Sequence, residues 1–408
     1  MKLRRPEGRA NPYPLLERVR RRAPVIFVPK HNWIVTRYAE ASAVLRDPRF
    51  SSDQSTRHLR PGWDESWHEF TEKYPECPVR LTNTMMFKDG ADHERLRGLV
   101  SKVFTPRVIG GLRDRVQALA NELLDSAEAR GHMDLIADYA YSLPVTIICE
   151  LLGVPVEDRA DFRQWTAQAA RSLDPARNEE EADEMIRAGR DAAKKFGSYF
   201  TNIVQGRRSH PQDDLVTALI NAQEGEDRLA TDELLSTFVL LLVAGHETTT
   251  NLIGNGVLAL LRNPAELETL RADLGSEPMR LAVEELLRYE PPVAGVVRIA
   301  SDDVPFAGTV IPKGHDVIVL IAAANRDPAQ FPDPDRLDIR RSDNRHLTFS
   351  GGPHFCLGAP LARLEGQIAI ATLLRRFPSI ELKTDEPEWR ETFTLRALKQ
   401  LPLSLTTS

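Results

Sequence analysis

A loop rich in glycine and proline surrounds one cysteine, Cys356, immediately before a segment with helical spacing. From residue 349 to residue 360 it reads Phe-Ser-Gly-Gly-Pro-His-Phe-Cys-Leu-Gly-Ala-Pro. Glycine lets the backbone take positive φ and approach a flat ligand closely, and the start of a helix stabilises a thiolate. Pro360 suits the first turn of that helix. The pattern indicates an anionic sulfur available to a metal; a redox or catalytic thiol, or a buried structural cysteine, stays open on these residues alone.

The other cysteines do not compete for that role. The chain has three, Cys77, Cys149 and Cys356, an odd number at wide spacings, which favours neither a disulfide framework nor a zinc site. Cys149 lies in the apolar run 145–152 and is interpreted as a small buried hydrophobe. Cys77 carries no pattern. Only Cys356 therefore needs a chemical explanation.

Bulk properties exclude several classes of protein. The net charge of -6 is small for 408 residues and gives no reason to expect nucleic acid as a partner. The beginning of the sequence has no apolar signal region, and the longest apolar stretch, 238–244, is too short to span a bilayer. We therefore expect a soluble, cytoplasmic protein that does not bind membranes. No linker divides the chain, so one large domain is predicted over 1–408.

The order of elements predicts a mixed, mainly α fold with small β-sheets. Apolar runs at 25–28 and 33–35 predict a hairpin in a β-rich N-terminal part at about 20–60. Helical spacing dominates a core at about 92–290, and short strands are predicted between 296 and 320. A helix over 360–377 and a hairpin around Phe393 follow. Because βαβ alternation is missing, a doubly wound parallel sheet is not expected.

The cysteine loop resembles the haem-binding loop of the cytochrome P450 family, with matching residues Phe349, Gly352, Cys356 and Gly358. Ser350 departs from the glycine of many relatives. The resemblance extends over essentially the whole chain and implies the cytochrome P450 fold. It also implies haem b as cofactor, residues 349–358 as the haem-cysteine loop, and Cys356 as the thiolate ligand of the iron, an arrangement that favours O–O cleavage.

A polar interruption in the apolar helix predicted over 231–262 is the second family signature. It reads Ala-Gly-His-Glu-Thr-Thr-Thr from residue 244. Small residues open space beside a ligand, so the resemblance places Ala244 and Gly245 against the haem. It assigns Thr248 to hydrogen-bond dioxygen and Glu247 to relay protons from solvent. On the residues alone, a polar patch contacting water or a neighbouring helix is the alternative.

Cationic residues match the family's contacts to the haem propionates. His93 and Arg97 are four apart and share one helix face. Arg298 and His354 match two further contacts. Buried carboxylates are costly unless they are paired, so a bound haem needs such groups.

A charged trio is expected to brace the cysteine loop. Glu285 and Arg288 are three apart on one helix face, as in the family's Glu-x-x-Arg helix. Arg336 is the predicted third member, although Leu337 stands where phenylalanine is common. Taken alone, the pair could equally be a surface ion pair of little consequence.

The resemblance implies a haem-thiolate monooxygenase that hydroxylates or epoxidises a small-to-medium apolar organic substrate, in secondary metabolism or xenobiotic oxidation. Electrons would come from NAD(P)H through a ferredoxin reductase and a ferredoxin. The ferredoxin is expected to dock on basic residues near the cysteine. The candidates are Arg95, Lys102, Arg107, Arg113 and Arg363.

Substrate contacts are predicted in segments that are mostly apolar. The residues concerned are Met86, Phe87, Val293, Val296 and Phe393. Two other functions stay open, namely peroxide-driven oxygenation and a haem-thiolate binding or sensing protein without turnover. Glu247 and Thr248, as groups that handle dioxygen, argue against both.

Overall fold

The computed structural model describes residues 5–29, 32–59, 79–171, 179–224 and 227–407, so Cys77 lies outside the described residues. The predicted mainly α fold class is confirmed. Within the described ranges the helices are α1 (Pro6–Ala10), α2 (Tyr13–Arg22), α3 (Tyr38–Arg46), α4 (Gly90–Val103), α5 (Pro106–Gly111), α6 (Arg113–Arg130), α7 (Ser142–Leu151), α8 (Arg159–Arg171), α9 (Glu179–Ser209), α10 (Leu215–Asn221), α11 (Thr231–Leu261), α12 (Pro264–Ala272), α13 (Ser276–Tyr289), α14 (Ile321–Ala324) and α15 (Ala359–Arg376).

Short strands form small sheets beside the helices. They are β1 (Val25–Val28), β2 (Asn32–Val35), β3 (Phe50–Ser51), β4 (His132–Asp134), β5 (Gln223–Glu224), β6 (Asp227–Arg228), β7 (Val296–Ala300), β8 (Val304–Phe306), β9 (Thr309–Ile311), β10 (Asp316–Val319), β11 (Ser379–Leu382) and β12 (Pro402–Thr406). The five-stranded sheet has the order β1-β2-β10-β7-β3, and a three-stranded sheet has the order β11-β12-β4.

The predicted N-terminal hairpin is confirmed, with β1 antiparallel to β2 and Val25 opposite Val35. The β-rich N-terminal part also contains α3, which was not predicted as a separate helix. Around Phe393 the chain forms isolated bridges, Trp389 to Leu398 and Val293 to Leu395, rather than a regular hairpin. The bridge from Val293 to Leu395 still joins the segment after Trp389 to the residues that precede β7.

Helix α11 is the centre of the helical core. Its residues from Leu234 to Val243 are all buried, because a segment that is apolar on nearly every side is stable only when it is surrounded by other protein. It packs against α7, α13 and α15. Since α15 follows Cys356 directly, this packing holds the cysteine loop beside the middle of α11. Despite that apolar run, none of the described helices is long and apolar enough to cross a membrane.

Candidate functional site

The backbone of the cysteine loop has two residues in the left-handed region. Ser350 has φ 64° and Gly352 has φ 65°. A Cβ on Gly352 would lie 2.7 Å from the carbonyl oxygen of Leu45, so glycine is required there. Ser350 adopts the conformation that glycine takes without strain, which explains why glycine is common at this position in relatives. The amide of Cys356 donates to the carbonyl oxygen of Phe349 at 2.9 Å and closes the loop.

The Cys356 thiol lies just before α15, which begins at Ala359. Burial raises the pKa of this thiol, whereas the amide N–H of Gly358 and the charge of Arg97 oppose that rise. The residue nevertheless has exposed surface. Both statements hold for a sulfur that protein surrounds without covering it. The sulfur is therefore open to a ligand, and binding of a metal would hold it as the thiolate.

Helix α11 becomes partly exposed at the segment where its sequence becomes polar. Ala244 is exposed and Gly245 half-buried, although residues 234–243 before them are buried. Thr248 is half-buried, and its hydroxyl donates to the carbonyl oxygen of Ala244 at 2.8 Å. The helix stays continuous through this segment, because the threonine hydroxyls bond carbonyls one turn back without displacing the backbone bonds. The small residues therefore give the helix an open face.

Glu247 is buried, with 4 % of its surface exposed. Nη1 of Arg390 lies 3.1 Å from one carboxylate oxygen and 3.4 Å from the other. Nε2 of the neighbouring His246 is 3.8 Å away. Burial lowers the pKa of His246 and favours its neutral form. Arg390, whose side chain is 33 % exposed, thus connects the buried carboxylate with the protein surface.

Three of the four predicted propionate-binding residues, His93, Arg97 and His354, lie together at the cysteine loop. Arg97 donates to the carbonyl oxygen of Phe355 at 2.8 Å. The rings of His93 and His354 are 4.3 Å apart, and His354 lies 3.1 Å from Asp89. Burial, followed by the positive charges of His354 and Arg97, lowers the pKa of His93 to about 4. The structure therefore groups these residues as the resemblance implied.

The surroundings of Arg298 and His93 show whether the site fits a ligand with two carboxylates, such as haem. Arg298 is 8 % exposed and donates to the carbonyl oxygen of its neighbour Val297, with no carboxylate in hydrogen-bonding range among the described residues. Burial lowers the pKa of Arg298 to about 10. Nε2 of His93 is buried without a hydrogen-bond partner in the described part of the chain. Unpaired buried groups of this kind are unfavourable by themselves, so the residues fit the two carboxylates of a haem.

The predicted ion pair between Glu285 and Arg288 is present and fully buried, with two N–O distances of 2.8 Å. Arg288 also donates to the carbonyl oxygens of Asn325, Pro334 and Arg336. The side-chain amide oxygen of Asn325 accepts from the amide of Leu347, just before the cysteine loop. The pair therefore supports that loop through Asn325.

The prediction for the third charged member is wrong with respect to its side chain. Arg336 contributes its backbone carbonyl, while its side chain is 63 % exposed and lies 3.7 Å from Glu266. Arg341 instead places Nε 3.2 Å from Glu285. The buried Leu337 anchors the segment next to Arg336, and the neighbouring guanidinium points to solvent.

The predicted substrate contacts are only partly brought together. Met86 is exposed and Phe87 half-buried in the turn before α4. Val293 and Val296 are half-buried on either side of the start of β7. Phe393 packs against a cluster that includes Leu16. A cavity of about 310 Å³, lined by residues such as Tyr13 and Arg326, contains none of the predicted site residues. Their role in substrate binding stays a prediction.

Several groups at the site were missed from the sequence. Asp89 has a pKa below its usual range, because hydrogen bonds from His354 and Ser51 outweigh the opposing effect of burial. Burial raises the pKa of Glu365 on α15 to about 8. Asp89 could have been found as an acidic residue directly before a helix. Nothing in the local sequence around Glu365 or Arg390 indicates its neighbours.

The sequence was compared with known families and structures. It matches the family described as Cytochrome P450 over residues 71–406. It is 43% identical over 377 residues to Cytochrome P450 CYP107DY1 of Priestia megaterium, covering 91% of this chain and 89% of that protein. It is 39% identical over 405 residues to Polyketide biosynthesis cytochrome P450 PksS of Bacillus subtilis, covering 97% and 96%.

A solved structure agrees with these relatives. P450BioI in complex with hexadec-9Z-enoic acid ligated Acyl Carrier Protein has a TM-score of 0.88 at 36% identity, covering 98% of this chain and 99% of that chain. Family members bind haem b through a cysteine thiolate and act as monooxygenases with a redox partner, an organic substrate and dioxygen. The chain is a member of the cytochrome P450 family.

Proposed function

We propose that Cys356 is the thiolate ligand of the haem iron, that Thr248 hydrogen-bonds dioxygen and that Glu247 relays protons from solvent. The observation that carries the proposal is the group of basic residues beside the cysteine loop, in which the buried Arg298 has no carboxylate partner among the described residues and Nε2 of His93 has no hydrogen-bond partner there. A haem held by this loop would bring its propionates to those cations. The thiolate would then face iron, with amide N–H groups and the start of α15 favouring its charge.

When bound, the haem supplies the activation of dioxygen and the transfer of one oxygen atom to the substrate. The hydroxyl of Thr248 donates to the carbonyl oxygen of Ala244 beside the open face of α11, where it would hydrogen-bond dioxygen. Glu247 would exchange protons with the surface beside Arg390. Arg97 and His354 would hold the loop and the propionates in place. Ala244 would leave room for the flat ring because it is small and exposed on the open face, whereas a Cβ on Gly245 would lie 3.5 Å from Ile148, so this glycine allows close packing of α11 against α7.

The proposed substrate is a small-to-medium apolar organic molecule that is hydroxylated or epoxidised. The name of PksS refers to polyketide biosynthesis, which supports a place in secondary metabolism for this chain as well; xenobiotic oxidation is the second candidate. The half-buried apolar residues Phe87, Val293 and Val296 support a substrate of low polarity. The cytoplasmic location stays a prediction.

The proposed electron donor is a ferredoxin that docks beside α5, which packs against α15. Lys102, Arg107 and Arg113 are exposed there and are the proposed docking cations. Two other basic candidates are engaged differently, since Arg95 binds Glu233 and Arg363 binds Glu284. Acidic groups of a ferredoxin would find an exposed basic surface close to the cysteine helix.

The proposed function is tested by the carbon monoxide difference spectrum of the reduced holoenzyme, followed by turnover. We expect a long-wavelength Soret band of a thiolate–carbonyl complex and product formed with ferredoxin, reductase and NAD(P)H. The rate with ferredoxin should fall as salt rises, because docking is electrostatic. The absence of the band contradicts the proposal. Product formed with peroxide alone identifies a peroxygenase, and a band without product in either assay identifies a binding protein.

Replacing the proposed distal hydroxyl should uncouple the reaction. In Thr248→Val the shape is kept but the hydroxyl is lost, so we expect the product formed per NAD(P)H consumed to fall by roughly tenfold or more and peroxide to rise. The matched control is Thr250→Val, because Thr250 makes the same bond one turn back, to His246, and is buried. Full coupling in Thr248→Val, or equal uncoupling in both variants, removes the role of Thr248.

Replacing the buried arginine should loosen the haem. Arg298→Gln removes a charge-assisted bond of about 1.5–3 kcal/mol, so we expect haem to transfer to an excess of apo-globin roughly ten to a hundred times faster. The control is Arg95→Gln, because Arg95 shares α4 with His93 but binds Glu233. The same transfer rate in Arg298→Gln and wild type would rule out a propionate contact.

A further inference from the structure

Arg363 lies on α15, where its side chain is held in an ion pair rather than directed at a docking partner. Its Nε and Nη2 bind the two oxygens of Glu284 at 2.6 and 2.8 Å. Burial opposes the charge of Glu284, but hydrogen bonds from Arg363 and His346 outweigh it and hold the pKa of Glu284 at about 2. Because the pair is bidentate and planar, the guanidinium is held in one orientation.

His346 completes the support of Glu284. Its Nε2 lies 3.2 Å from Glu284, while its Nδ1 accepts from the amide of Thr348 at 3.3 Å. Because Nδ1 accepts from that amide, Nε2 is the ring nitrogen that donates to Glu284. Arg363 and His346 therefore bind Glu284 from two directions and fix the position of its carboxylate.

The positive end of the pair is directed at the cysteine loop. The guanidinium carbon of Arg363 lies 4.5 Å from the ring centre of Phe349. Phe349 is 8 % exposed, and its carbonyl oxygen accepts the amide of Cys356. The charge of Arg363 also reaches the sulfur, where it favours the thiolate. The low exposure of Phe349 limits screening by solvent between the two groups, although the side chain of Arg363 is 31 % exposed, so the fixed charge acts more strongly here than between two fully exposed groups.

We propose that Arg363 is a positioning residue that sets the electron-donating strength of the Cys356 sulfur, with Glu284 holding its guanidinium against Phe349. The inference rests on the proposed ligation of iron by Cys356. A fixed positive charge near the sulfur withdraws electron density from the iron and favours the gain of an electron. Arg363 therefore raises the reduction potential of the haem, and Glu284 moderates that effect.

The test is an equilibrium titration of the holoenzyme, in which a chemical reductant and mediator dyes transfer one electron to the haem iron. Ferredoxin is left out, so docking cannot contribute. We expect Arg363→Gln to lower the reduction equilibrium constant by about three- to tenfold; tenfold corresponds to 59 mV for one electron. Arg363→Lys should keep most of the wild-type potential because it keeps the charge. Glu284→Gln should raise the potential, because the amide oxygen can still accept from Arg363 while the opposing negative charge is lost.

The matched control is Arg375→Gln, because Arg375 is an exposed arginine near the far end of the same helix and should not change the potential. A wild-type potential in Arg363→Gln overturns the inference, as does an Arg363→Lys potential as low as that of Arg363→Gln. If Arg363→Gln does not retain haem, Glu284→Gln decides, and an unchanged or lower potential overturns the inference. Potentials are compared among proteins that show the thiolate–carbonyl band; loss of that band in wild type contradicts the ligation by Cys356 instead.

Discussion

Cys356→Ala is expected to abolish the long-wavelength carbonyl Soret band and to lower the rate of product formation by roughly a thousandfold or more, equivalent to about 4 kcal/mol of transition-state stabilisation. The substitution removes the sulfur that is proposed to donate to iron. The loop itself should keep its shape, because the amide of residue 356 still donates to Phe349 and Gly352 still meets Leu45. Loss of activity would then reflect the missing sulfur rather than a collapsed site.

The matched control is Cys149→Ala, which removes a buried thiol on α7. It should leave the carbonyl band and turnover unchanged, at a modest loss of stability from the smaller side chain. Haem content is measured in parallel, because the cations around Arg298 could retain some haem without the sulfur. A normal thiolate–carbonyl band in Cys356→Ala would show that another ligand binds the iron.

The parts of the site that follow from the sequence are those encoded within a few residues. The cysteine loop needs positive φ at Gly352 and a helix start after Cys356, and both requirements leave local signals. His93 and Arg97 share a helix face at a fixed spacing. The same holds for Glu285 and Arg288, whose i, i+3 contact needs only that their segment be helical.

The parts that do not follow from the sequence depend on contacts between distant segments. Arg390 lies 143 residues from Glu247, and Arg341 lies 56 residues from Glu285. Nothing near Arg341 distinguishes it from Arg336, because both are arginines in one irregular segment. Only the packing of Leu337, which is 1 % exposed, determines which of them turns inward. Substrate contacts are less predictable still, since they need the shape of a cavity.

Breaking the ion pair behind the loop should have the largest effect on stability. Arg288→Ala leaves Glu285 buried with Arg341, Asn344 and the amide of Asp338 as its partners. It also removes the donors to three backbone carbonyls. Removing one member of a buried pair costs about 3–5 kcal/mol, a large fraction of the stability of an ordinary domain. We therefore expect low yield and weak retention of haem.

The chain contains a matched control for this variant on the same helix, since Glu277 and Arg280 form a pair with the same i, i+3 spacing at the surface. Urea denaturation of the holoenzyme, followed by the Soret band and by far-ultraviolet circular dichroism, should show a much lower midpoint for Arg288→Ala and an unchanged midpoint for Arg280→Ala. Arg336→Ala should also leave the midpoint unchanged, because the side chain of Arg336 does not contact Glu285. Arg341→Ala should have a midpoint between those of Arg288→Ala and Arg280→Ala, because Arg341 does contact Glu285. Equal midpoints for Arg288→Ala and Arg280→Ala would mean that burial adds nothing to the pair, and the cysteine loop would need a different support.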